Sequence, residues 1–313
     1  MHVARSTPGS GGLLLGNGVT LVAILLWASS FLATDALLRS WTPVWLTVGR
    51  ILGAGLVLLA FCALTGRLRS LRPTSWWDLA LASVLGFGLA ALCIVFGQAW
   101  SDPVTTSIIV TAMPLISAIL GLIDGTERLN AHLTLGILLA MAGGVVASLP
   151  PGSWLPAPKG GEFLVLLSQI LWTWYSRISA TRLGALDAIA KSTLGLTIGG
   201  TFLLLVACLL TATGLAPLEV DLGRDSLLLL GWLAGFSIAA SVSLWLAGVR
   251  LLGATVASIH TNLAPFYVML MALVLGTSPR PGQFLGALLV VAGAVLAQWP
   301  AIRRASATLA ASP

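Results

Sequence analysis

Apolar runs of about 20 residues, the length that crosses a bilayer core at 1.5 Å per residue, follow one another along the whole chain. Ten are read, at 19–38, 44–64, 77–99, 104–123, 132–149, 162–181, 188–212, 226–249, 254–275 and 282–299. Hydrophobic residues make up 58% of the chain and charged residues 8%, against about 25% charged in a soluble domain. A water-soluble core of 313 residues cannot hide so much apolar surface. Continuous apolar runs also exclude a β-barrel, whose strands alternate apolar and polar. Lipid leaves helices as the way to satisfy the backbone. The expected fold is an all-α integral membrane protein with ten transmembrane helices.

The second half of the chain rewrites the first. Thr105-Thr106-Ser107-Ile108 through Ala112-Met113-Pro114 runs in step with Val256-Ala257-Ser258-Ile259 through Leu263-Ala264-Pro265. Gly136–Gly143 matches Gly286–Gly293, and Leu26-Trp27-Ala28 answers Leu171-Trp172-Thr173. Five spans per copy, an odd number, turn the two copies in opposite directions across the membrane. The expected domains are a first five-helix repeat at 19–149, a Pro/Gly-rich linker at 150–161 and a second repeat at 162–300. Inverted repeats of this kind build alternating access around a midplane site in many secondary transporters.

The basic residues set the expected orientation. With both termini in the cytoplasm, ten arginines (Arg5, Arg67, Arg69, Arg72, Arg128, Arg177, Arg182, Arg250, Arg303 and Arg304) lie inside. Four basic residues (Arg39, Lys159, Arg224 and Arg280) lie outside. The net charge of +6 is therefore topological; it forms no basic stripe, and no nucleic-acid partner is expected. The N-terminal Met1–Gly18 lacks a cleavable signal pattern. Cys62, Cys93 and Cys208 sit within apolar runs, without metal or disulfide spacing. His2, His132 and His260 form no metal motif. No His-Glu-x-x-His, Gly-x-Ser-x-Gly or phosphate-binding Gly-rich loop is present. No enzyme activity, metal or cofactor is expected. The expected partners are a small-molecule substrate and the lipid bilayer, with a proton as a candidate coupling ion and a homodimer left open.

Polar groups within lipid are costly and so are candidates for function. Asp35 and Arg50 lie at similar depth from the outer face on consecutive spans. They read either as a structural element, with an ion pair or with Asp35 at the interface, or as an outer gate or proton-coupling site. Thr111 and Asn262 hold equivalent repeat positions, ~12 Å into a ~30 Å core. Each precedes a proline by three residues, and Pro114 and Pro265 are expected to kink their spans and free the carbonyls of Val110 and Thr261. His260 and Tyr267 flank that segment. Trp27 and Trp172 lie too deep for an interfacial belt. With Trp174, Tyr175 and Trp245 they provide rings that either stack on a planar solute or pack helices together. Ser29, Ser30, Thr34, Gln98, Ser237 and Ser241 add neutral polar groups. The expected substrate-binding set is Trp27, Ser30, Thr34, Gln98, Thr111, Trp172, Tyr175, Ser241, His260, Asn262 and Tyr267. This lining suits a neutral or zwitterionic solute, since a phosphate would bring more midplane Arg and Lys. Gly49–Gly53, Gly195–Gly199 and Gly231–Gly235 carry the spacing of close helix packing.

These features together resemble the drug/metabolite transporter superfamily, in its ten-span form with two EamA domains. The resemblance is carried by Leu26-Trp27, Arg50, Pro114 and Pro265, the turn Asp124-Gly125-Thr126-Glu127-Arg128-Leu129, and the closing helices Gly136–Val146 and Gly286–Leu296. The second copy departs from it, since Gly276-Thr277-Ser278-Pro279-Arg280 has no carboxylate where the family has an acidic residue. The resemblance implies export of small metabolites, often amino acids, through a cavity between the repeats. Efflux of cationic compounds is the alternative, ahead of a membrane-embedded enzyme or a passive channel.

Overall fold

A computed structural model describes residues 10–123, 125, 131–149, 159–252, 257 and 260–310. The turn at 124–129, most of the linker at 150–158 and the start of the ninth span fall outside the described residues, apart from Gly125 and Ala257. Among the described residues all regular structure is helical. The rods are α1 (Ser10–Leu37), α2 (Pro43–Leu64), α3 (Trp76–Ala99), α4 (Pro103–Ile123), α5 (Ala131–Ser148), α6 (Gly161–Thr181), α7 (Ala188–Ala212), α8 (Arg224–Leu252), α9 (Thr261–Val274) and α10 (Pro281–Ala310). Six of them (α1–α4, α7 and α8) are long and apolar enough to cross a membrane. Shorter apolar helices lie within α5, α9 and α10. Helix α6 has 21 residues but is made less apolar by Glu162, Gln169 and Arg177. The last helix runs past the apolar stretch, through Arg303 and Arg304 to Ala310.

Local signals set the helix starts. Asp102 caps α4 by accepting from the Thr105 N–H at 2.8 Å, with Pro103 at the first helical position. Asp187 caps α7 through the Ala190 N–H at 2.8 Å. Thr42 has no capping bond ahead of α2. Its hydroxyl instead donates to the Pro217 carbonyl at 2.8 Å, tying the α1–α2 turn to the α7–α8 loop.

The packing is preserved when α1–α5 are exchanged with α6–α10. Helix α5 lies along α10 and α2 along α7, while α1 packs on α8 and α3 on α6. Glycines make the approaches, and in matched pairs. A Cβ at Gly143 would stand 2.7 Å from the Gly286 carbonyl oxygen, and one at Gly293 would stand 2.6 Å from that of Gly136. A Cβ at Gly55 would meet the Thr197 backbone at 2.7 Å, and one at Gly200 the Leu52 backbone at 2.5 Å. Two of the three spaced pairs serve the same end: Gly195 and Gly199 abut Phe87 on α3, while Gly49 and Gly53 abut Leu230 and Ala234 on α8. Among the described residues, Gly231 and Gly235 face open space and pack against no helix. Gly143→Ala and Gly293→Ala should each cost about 1–3 kcal/mol, because backbone on the facing helix blocks the methyl. Gly144→Ala, with open space around it, should be neutral. Thermal unfolding of the purified protein in detergent separates these outcomes.

Two ion pairs join the halves at the end of the bundle where α2 meets α3. Arg67 reaches Asp187 at 2.6 Å and Arg182 reaches Asp78 at 3.1 Å. Burial pushes the Asp187 carboxyl up. The Ala190 N–H and Arg67 outweigh that and hold it below its ordinary value. A carboxyl depressed on folding stabilises the fold above its unfolded pKa, and that contribution is lost as pH falls through the folded value. Asp187→Asn should therefore melt below wild type at pH 7, by up to about 1 kcal/mol for so exposed a pair. The gap should close as pH falls below the carboxylate range, as read by melting curves between pH 7 and pH 3.

Candidate functional site

Three of the rods are irregular at mid-length and a fourth where its described part begins, and the irregularities match between the halves. Helix α3 contains a π-helical stretch at Val84–Leu89, and α8 contains one at Leu233–Ala240. Helix α4 breaks at Thr111 and Ala112, where N–H groups bond three residues back to Ile108 and Ile109. Helix α9 opens with a tight 3-10 turn at Thr261–Leu263. Such departures cluster at functional sites, and in a membrane protein they are tolerated where they are buried or line a cavity.

The prolines act differently from the expectation. Pro114 and Pro265 do not kink continuous helices. Each is the second residue of a new helix, Met113–Ile123 and Ala264–Val274, where the missing N–H costs nothing. The Thr261 carbonyl is not free either, since it accepts from the Ala264 N–H.

These segments surround a central cavity of about 110 Å³, room for on the order of ten water-sized spheres. Its wall takes residues from α1, α2, α3, α4, α6, α8 and α9. Trp27, Trp172 and Trp245 provide rings, and Ile24, Ile51, Phe87 and Ala90 provide apolar surface. The polar members are Arg50, Ser168, Gln169, Ser241 and Thr261, with no carboxylate among them. Gly86 lets α3 approach α6, since a Cβ there would stand 2.5 Å from the Tyr175 Cβ. Behind the wall, Tyr175 stacks on Trp172 with ring centroids 5.3 Å apart, and Phe87 packs edge-on to both. That contact fixes the Trp172 indole against the cavity.

Of the expected residues, Trp27, Trp172, Ser241 and Arg50 line this cavity. Tyr175 is one layer back and fully buried. Thr34 is buried and accepts from the Arg50 Nη1 at 3.0 Å. Gln98 donates to the Phe31 carbonyl at 2.6 Å, holding α3 against α1. Thr111 spends its hydroxyl on the Ile108 carbonyl at 2.6 Å, and its neighbours Val110 and Met113 reach the wall instead. Asn262 is buried beside Thr261, both amide atoms without a hydrogen-bond partner among the described residues. His260 and Tyr267 are half-buried, and Ser30 is buried, all off the wall. Ser29 and Ser237 hydrogen-bond each other at 2.8 Å, linking α1 to α8.

Asp35 and Arg50 do not pair. The half-exposed Asp35 carboxylate faces Arg39 at 3.7 Å, one turn along its own helix. Arg50 points inward from α2 and is buried. Sequence reasoning missed Ser168 and Gln169. Their spacing of four and three residues before Trp172 puts all three on one helix face, which was the available signal.

At the end of α3 opposite the Arg67 and Arg182 pairs, Asp102 gathers a polar knot. It accepts from Arg280 Nη2 at 3.0 Å, Gln283 Nε2 at 2.8 Å and Thr105 Oγ1 at 2.8 Å. Arg280 also donates to the Leu149 carbonyl at 3.3 Å. The loop that lacks a carboxylate thus borrows one from the first half.

The model of the EamA-like transporter family matches residues 14–149 and again 159–299. The chain belongs to that family. It is similar to the uncharacterized transporter YyaM of Bacillus subtilis, 26% identical over 67% of this chain and 69% of that one. It is likewise similar to the uncharacterized transporter YetK of Bacillus subtilis, 26% identical over 91% and 88%. The uncharacterized inner membrane transporter YedA of Escherichia coli is 23% identical over 83% and 82%. A solved crystal structure shares the fold with a TM-score of 0.69 at 20% identity, covering 95% of this chain and 99% of that one. This EamA protein is a multi-pass membrane transporter of the drug/metabolite transporter superfamily. Its central cavity is the candidate substrate site. Thr111→Val should leave transport within about twofold of wild type, since the Ile108 carbonyl keeps its backbone donor. Trp172→Ala, which strips a large ring from the wall, should lower it about tenfold or more. Counterflow in proteoliposomes, using the solute the wild type carries best, checks both.

Proposed function

We propose that this transporter exports small metabolites, amino acids or related neutral or zwitterionic solutes. It does so by alternating access between inverted five-helix repeats at 19–149 and 162–300, joined by the 150–161 linker. One observation carries the reading: a packing pattern that survives exchange of the two halves surrounds a central cavity at mid-helix. Two near-equivalent bodies about one site can rock so that the cavity opens to either face. The polar contacts at the two ends fit such gates. Arg67–Asp187 and Arg182–Asp78 join the halves at one end, and Asp102–Arg280 joins them at the other. The ten-to-four distribution of basic residues favours cytoplasmic termini, which makes the Asp102–Arg280 end the outer one.

Efflux of cationic compounds fits the cavity less well, because its wall carries a guanidinium and no carboxylate. Asp35 is a poor coupling site in this arrangement, being half-exposed and away from the cavity.

Two measurements test the proposal. Cysteines placed at Lys159 and Arg224 should label from outside the cell, and those at Arg69 and Arg182 only after permeabilisation. The reverse pattern overturns the orientation. In proteoliposomes, preloaded unlabelled solute should accelerate entry of the labelled one, as exchange through an alternating site requires. Asp35→Asn should retain both counterflow and any accumulation driven by a pH gradient; loss of the second alone would assign coupling to Asp35.

A further inference from the structure

We propose that Arg50 anchors a carboxylate on the transported solute, so that the cavity takes monocarboxylate-bearing metabolites with an apolar body. This rests on the cavity being the transport site. Arg50 reaches the cavity from α2 and is 6% exposed. A guanidinium carries five N–H donors in a planar fork. Here one of them is used within the protein, from Nη1 to the Thr34 hydroxyl at 3.0 Å. The Nε is buried and has no partner among the described residues. Among the described residues no acidic side chain pairs with it, since Asp35 faces Arg39.

A buried cation without a counter-charge is costly, and the cost is relieved when an anion arrives. The fork matches the two oxygens of a carboxylate. A dianionic phosphate would meet too little charge, because among the described residues Arg50 is the one cationic side chain on the wall. Trp27, Trp172, Ile51 and Phe87 offer the remainder of the solute an apolar surface. Gln169, on the same wall, has a buried Oε1 lacking a donor. It can accept an N–H from an ammonium group without demanding one. An amino acid and its deaminated acid are therefore both held, and the corresponding amine is not.

Matched solutes test this on the purified full-length protein. The probes are leucine, 4-methylpentanoate and 3-methylbutylamine, with phenylalanine, 3-phenylpropanoate and phenethylamine as an aromatic set. Thermal stabilisation gives binding, and counterflow in proteoliposomes gives transport. In the wild type the carboxylates should bind and the amines should not. Arg50→Gln should weaken carboxylate binding about tenfold or more, with Arg50→Lys intermediate. A structural role would instead weaken every solute alike, or none. Leucine counterflow that survives Arg50→Gln at an unchanged half-saturating concentration overturns the anchor and leaves the carrier reading standing. Arg50-dependent binding of 4-methylpentanoate without counterflow of either amino acid keeps the anchor and overturns the amino-acid reading. If wild type binds none of these solutes, both are overturned. Should both Arg50 variants fail to fold, the wild-type ranking decides alone, and 3-methylbutylamine binding as tightly as leucine overturns the anchor.

Discussion

Backbone-to-backbone contact at glycine is the interaction on which this fold rests. Lipid chains are as apolar as leucine, so burying one more Leu between helices gains little; close van der Waals contact remains. The pairs Gly143 with Gly286 and Gly136 with Gly293 bring α5 and α10 so near that a methyl at Gly143, Gly286 or Gly293 would lie under 3 Å from the facing backbone. Gly55 and Gly200 do the same for α2 and α7. Each contact has its mate in the other half, because each glycine has its mate in the other repeat. The symmetry of the bundle is thus written at the level of single missing side chains.

Close packing at the periphery frees the centre to be irregular. The π stretches of α3 and α8 and the break in α4 fall at mid-length, and the matching tight turn opens α9. A lipid-facing helix could not leave carbonyls open there. Here the departures face one another around a cavity, and their loose ends are met locally, as when the Thr261 carbonyl accepts from Ala264. Tight glycine contacts between mates and loose backbone around the site are two parts of one arrangement. The first holds each pair of helices together while the second shapes the wall of the cavity.

Much of this was legible in the chain. Apolar runs locate the helices because lipid demands about 20 such residues, and the repeat of Trp27 at Trp172 picks out two rings that line the cavity. What failed was azimuth. Counting residues gives depth along a helix but not the direction of a side chain. Asp35 and Arg50 share a depth, yet Thr34, one residue and about 100° round the helix, is the group that meets Arg50. Thr111 likewise has the right depth, but its hydroxyl turns back on the Ile108 carbonyl. The prolines were legible as breaks and misread as kinks, because a proline that opens a helix and one that bends it leave the same mark in a sequence. Gln169 escaped notice because its repeat mate is Ile24, so the comparison of halves that found Trp172 passed over it.

That inequality between mates bears on selectivity. The two halves agree in their packing glycines and their mid-helix breaks, and they differ in the polar groups they present to the cavity. Arg50 comes from the first half, and its partner position on α7 contributes nothing to the wall. Gln169 comes from the second half, opposite an apolar isoleucine in the first. A strictly symmetric wall would carry two cations or none, and would treat both ends of a solute alike. The asymmetric one gives an elongated solute a charged end and a neutral polar end to choose between. In the proposed carrier, repeat symmetry would govern how the bundle moves, and the departures from it would govern what the bundle holds.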